Sequence, residues 1–66
     1  MKNLYMTTVN IEDKGEVFTR TEEVVSESLA TLRDDLIKQL NKYRRAMGLS
    51  KNFQIKRYDA RHIGWA

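Results

Sequence analysis

At 66 residues, with no cysteine and one histidine, the chain has room for one small core and lacks the materials for a disulfide framework or a zinc site. A composition that is 41% hydrophobic and 32% charged is too apolar for a disordered tail, and no run approaches the ~18 apolar residues of a membrane span. The net charge of +3 is sorted by position: residues 1–37 hold four basic and eight acidic residues, and residues 38–66 hold eight basic residues against Asp59 alone.

The opening stretch MKNLYMTTVNIEDKGE has no continuous apolar segment of the kind a signal peptide needs, so a cytoplasmic protein is expected. Residues 3–11 are rich in β-branched and aromatic types and run into Glu12-Asp13-Lys14-Gly15-Glu16, where Gly15 can take the positive φ of a bulged hairpin loop. A second strand is expected from Val17 through Val25. If Glu12 pairs with Glu16, then Tyr5, Val9, Ile11, Val17 and Val25 share one face, and Leu4, Met6, Phe18 and Val24 share the other. One helix can cover only one of them. Either a bulge near Arg20 to Glu23 switches the pattern, or the bare face is apolar and seeks a partner.

Thr19-Arg20-Thr21-Glu22 fits a capping box, but the β-branched pair Val24-Val25 argues for a later helix start, with Ser28 as N-cap. From there Leu29, Leu32, Leu36, Leu40, Tyr43 and Met47 recur at helical spacing, and Gly48 is placed to end the helix. A third strand is expected over Phe53 to Tyr58, with Phe53 and Ile55 on one face and Gln54, Lys56 and Tyr58 on the other. The tail from Asp59 to Ala66 carries Ile63 and Trp65, which can fold back on the sheet. The expected architecture is a single α+β domain of order β-β-α-β: a three-stranded antiparallel sheet with one amphipathic helix packed on one face.

Chemistry is poorly supplied. Asp34-Asp35 and Glu22-Glu23 are adjacent pairs whose side chains diverge, His62 has no thiol to activate, and Gly15, Gly48 and Gly64 are too far apart to cradle a phosphate. No catalytic residue, metal ligand or cofactor is therefore expected, and the chain reads as a binding module. Open sheet edges are docking sites for an added strand. The late cations provide an electrostatic surface, with Lys42, Arg45, Lys56, Arg57 and Arg61 as the candidate contacts and Tyr58 and Trp65 as apolar anchors. A protein is the first partner to consider. Nucleic acid bound by the same cations is the alternative, and a homodimer follows from the short chain and the two-sided apolar hairpin.

The joint Glu23-Val24-Val25-Ser26-Glu27-Ser28-Leu29-Ala30-Thr31-Leu32 resembles the strand-to-helix hand-over of small ββαβ accessory proteins encoded by bacteriophages and prophages. There a strand ends in a short polar step, Ser or Thr caps the helix, and Leu opens its apolar stripe. That fold type includes an inhibitor of bacterial RNA polymerase. The resemblance implies a phage or prophage accessory protein acting on a host or phage macromolecule, and it carries no functional residue over to this chain.

Overall fold

Period-2 alternation in the first third and period-3.6 spacing in the middle fold as their patterns dictate. A computed structural model describes residues 2–66, with strands β1 (Asn3–Asp13) and β2 (Glu16–Ser26), helix α1 (Leu29–Lys42) and strand β3 (Gln54–Trp65). All strand pairings are antiparallel and the sheet order is β2-β1-β3. The architecture is the expected α+β arrangement, and β1, the most apolar strand, takes the centre.

The hairpin register differs by one residue from the expected one. Asp13 pairs with Glu16, and the turn contains only Lys14 (φ 55°) and Gly15 (φ 79°). Two consecutive positive φ values make the primed two-residue turn that matches strand twist, so Lys14 takes the left-handed conformation that a looser loop would have avoided. A one-residue slip exchanges the faces of β2. Val24 enters the core, fully buried, while Val25 is 41% and Val17 62% exposed on the other side. The β1–β2 pairing then runs without interruption, and no bulge forms at Arg20 to Glu23.

Helix α1 starts at Leu29, directly after the expected N-cap Ser28. The Ser28 hydroxyl accepts from the Thr31 amide at 3.3 Å, and the Ser28 amide donates back to the Thr31 hydroxyl at 3.3 Å, a reciprocal cap that satisfies two N-terminal donors. The regular helix ends earlier than expected, at Lys42, because Tyr43 leaves helical geometry (φ −103°, ψ 14°). A further irregular turn follows and closes at Gly48 (φ 74°): the Gly48 amide donates to the Arg45 carbonyl, and the Leu49 amide to that of Arg44. This is the glycine-terminated pattern expected there. Leu32, Leu36 and Leu40 are fully buried, each contributing about 1.5–3 kcal/mol of transfer free energy. Leu29 and Tyr43, at the two ends of the predicted stripe, are 64% and 48% exposed.

Strand β3 is twice as long as expected, because the tail extends the strand along β1 all the way to Trp65. Asn10 faces Arg57 and Ile11 faces Ile55, so Lys56 is an extra, bulged residue, and Ile63 is a second one. The Lys56 bulge puts Tyr58 on the same face as Ile55, opposite Val9, rather than with Gln54 and Lys56. On that face Tyr5, Val9, Ile11 and Val24 meet the three helix leucines and Leu49, with Met47, Phe53, Ile55, Tyr58 and Ala60 packed around them. No helix among the described residues is long and apolar enough to cross a membrane.

Candidate interaction surface

The helix covers one side of the sheet and leaves the other bare. On the bare face the cross-strand rows, read from β2 through β1 to β3, are Val25-Leu4-Gly64, Glu23-Met6-Arg61, Thr21-Thr8-Asp59, Thr19-Asn10-Arg57 and Val17-Glu12-Gln54. One end is apolar and the middle is polar. Arg57 and Arg61, both exposed, flank Asp59 on β3, and a shallow depression forms where Met6 and Thr8 meet Asp59, Ala60 and Arg61.

The predicted contact residues divide among several places. Arg57 and Arg61 stand on the bare face and make no ion pair among the described residues. Lys56, at the bulge, reaches the Glu12 carboxylate, with Nζ to Oε2 at 3.1 Å. Lys42 closes α1 and lies over the Tyr43 ring at 5.5 Å, while Arg45 is in the irregular turn beyond it. Tyr58 lies half-buried on the helix side, across the sheet from Arg57 and Arg61. Trp65 is 61% exposed at the far end of β3. The side chains Lys56, Arg57 and Arg61 therefore form one group along β3, and Lys42 and Arg45 a separate one at the end of the helix.

Trp65 is positioned by its neighbours despite its exposure. Its ring meets that of His62 edge-on at 4.1 Å, and His62 meets Tyr5 edge-on at 5.6 Å. His62 Nε2 lies 3.0 Å from Asn3 Oδ1, and Asn3 donates its amide to the Glu27 carbonyl at 2.8 Å. This chain of contacts ties the end of β3 to the loop entering the helix.

Two features had weak sequence signals. Asp13, at the hairpin turn, is only 7% exposed: one carboxylate oxygen accepts the Ser50 hydroxyl and the other the Ser50 amide at 2.9 Å. These bonds, the hydroxyl first and the amide next, hold the Asp13 carboxyl below its ordinary value of 3.8. The second is a groove of about 390 Å³ between α1 and the segment entering β3, lined by Arg33, Ile37 and Asn41 of the helix and by Lys51, Phe53, Gln54 and Ile55. The cue was Ile37, an apolar residue just off the leucine stripe with Arg33 and Asn41 four positions to either side.

Comparison of the chain with protein-family models, with curated proteins and with solved structures finds no match.

Proposed function

We propose that this chain is a small non-enzymatic interaction module that binds a protein partner along β3, through the strand's outer edge and the side chains Lys56, Arg57 and Arg61, with Trp65 as an apolar anchor at the far end. One observation carries the reading: β3 is a twelve-residue edge strand whose outer side pairs with no other strand among the described residues. A row of unpaired amides and carbonyls accepts a partner strand, and flanking arginines and aromatics supply the contacts that dominate interface energies.

Charge balance favours protein over nucleic acid. Arg57 and Arg61, with Lys56 at their side, share the bare face with Glu12, Glu23 and Asp59. Phosphate binding needs an excess of cations, whereas a face of interspersed sign suits a protein surface of complementary pattern. The element order and the Ser28-capped joint resemble those of small phage and prophage proteins, a likeness that favours a host or phage protein as the target, met in the cytoplasm of a bacterial host.

The test is affinity capture from a bacterial lysate with the tagged chain, repeated after nuclease treatment. The bound protein is expected to survive nuclease and to be lost with the Lys56→Glu/Arg57→Glu double variant. Unchanged capture by that variant would remove these residues from the interface, and loss on nuclease treatment would transfer the reading to nucleic acid.

A further inference from the structure

Asp35 and Gln39 fix which way α1 faces. Asp35 accepts the Ser26 hydroxyl at 2.6 Å, and Gln39 donates to the Glu23 carbonyl at 2.9 Å, so this flank of the helix is fastened to β2. Arg33, Ile37 and Asn41 lie on the opposite side of the buried leucine stripe, at i, i+4 and i+8, and therefore look toward β3. Among the described residues no side-chain hydrogen bond or ion pair closes that side. Between the helix flank and the chain entering β3 lies the groove, floored by Ile37, Phe53 and Ile55, all only half-buried.

The groove's charge is one-sided. Arg33 and Lys51 are its only charged lining residues, both exposed, and neither makes an ion pair among the described residues. An apolar floor with unneutralised cations on both banks is complementary to a ligand that is itself apolar in the middle and anionic at its sides. The site is an open groove, so a small molecule would keep one side in water instead of burying the 70–90% of its surface usual for ligand sites, about 390 Å³ being also at the low end of their size range. A polypeptide crossing it has no such limit, because it continues beyond the groove onto the free edge of β3.

We propose that this groove receives an acidic segment of the partner protein, with apolar side chains resting on Ile37, Phe53 and Ile55 and carboxylates meeting Arg33 and Lys51. The inference rests on the protein-partner reading above and supplies that partner's chemistry. Acidic stretches of a second copy fit less well: Glu22 is already held by Arg20 and Gln39, and Asp35 by Ser26.

The experiment uses a displayed library of short random peptides selected on the immobilised chain. Enriched sequences are expected to combine Asp or Glu with Leu, Ile, Phe or Trp. The tightest synthetic peptide should shift the amide resonances of Ile37, Phe53 and Ile55, and Arg33→Glu and Lys51→Glu should each weaken it about tenfold. Both substitutions are at exposed positions, and an unchanged thermal melt confirms that the fold is retained. Basic or uncharged winners, failure of the selection to enrich any sequence, resonance shifts confined to the bare face, or affinity unchanged in both variants would overturn the proposal. So would self-association weakened by the same two variants, since it would make a second copy the occupant. The two readings fail separately: lysate capture unaffected by Arg33→Glu/Lys51→Glu removes the groove alone, while nuclease-sensitive capture removes the protein partner.

Discussion

Asp13 fastens the hairpin turn to the loop behind the helix, and its titration makes that fastening dependent on pH. The folded carboxyl titrates below its ordinary value of 3.8 because the ionised form accepts both Ser50 bonds. Its contribution to stability is therefore fully present above pH 3.8 and is lost as pH falls through the lower folded value. Urea unfolding across the acid range should show this loss in the parent chain and a flatter acid limb in Asp13→Ala, which should also be less stable at neutral pH. A parallel decline in both proteins would place the acid sensitivity elsewhere. Thr7 makes the opposite case: its hydroxyl is fully buried on the helix side of β1 with no hydrogen-bond partner among the described residues. An unsatisfied buried hydroxyl is costly and valine has nearly the same shape, so Thr7→Val should raise the unfolding free energy by about 1 kcal/mol. Destabilisation instead would mean that the hydroxyl is bonded in solution.

At the level of elements, the helix holds to the sheet through three leucines, and the two ends of its apparent stripe contribute little. Leu36→Ala should cost about 2–5 kcal/mol, a large share of the total of about 3–10 kcal/mol for a chain of this length, and lower the melting temperature markedly. Leu29→Ala, at a position 64% exposed, should change stability by less than about 0.5 kcal/mol. Circular-dichroism melts of the two variants separate the real seam from the apparent one, and equal losses would contradict the observed burial. Spacing alone made element order, the Ser28 cap and the positive φ of Gly48 legible, because each depends on neighbours in the chain, whereas the helix itself stops earlier, at Lys42. The hairpin register was not legible, since it turned on whether Lys14 would accept a left-handed backbone, a choice tied to the distant Asp13–Ser50 bonds. The face of Tyr58 was hidden for a similar reason: it depends on the bulge at Lys56, next to the Lys56–Glu12 ion pair. Of the candidate surface, the clustering of Lys56, Arg57 and Arg61 could be read from adjacency, and the groove could not, because it is set by which flank of the helix Asp35 and Gln39 attach to β2.

Over the whole molecule, 37 Å long and 17–19 Å across, the sorted charges become a gradient in space. The helix runs from the end where β2 finishes back toward the hairpin turn, as the Asp13–Ser50 bonds show, and so carries Lys42, Arg44, Arg45 and Lys51 toward the end that also holds Lys14 and the start of β3, where these five cations outnumber the three carboxylates Glu12, Asp13 and Glu16. Glu27, Asp34 and Asp35 stay toward the other end, with Lys2 and Lys38 beside them. Such a field speeds the approach of an acidic partner within a Debye length of about 10 Å at 0.1 M salt, and it orients that partner toward the groove end before contact. It does not make the bare face a phosphate-binding surface, where cations and carboxylates balance. Binding to a short DNA duplex, measured by fluorescence anisotropy between about 50 and 200 mM salt, should therefore be weak, with a log–log slope no steeper than about −2, as one or two phosphate contacts give. A slope near −4 or steeper would mean that the cations of the helix end and of β3 act together on a phosphate backbone, and the protein-partner reading would then have to yield to the nucleic-acid one.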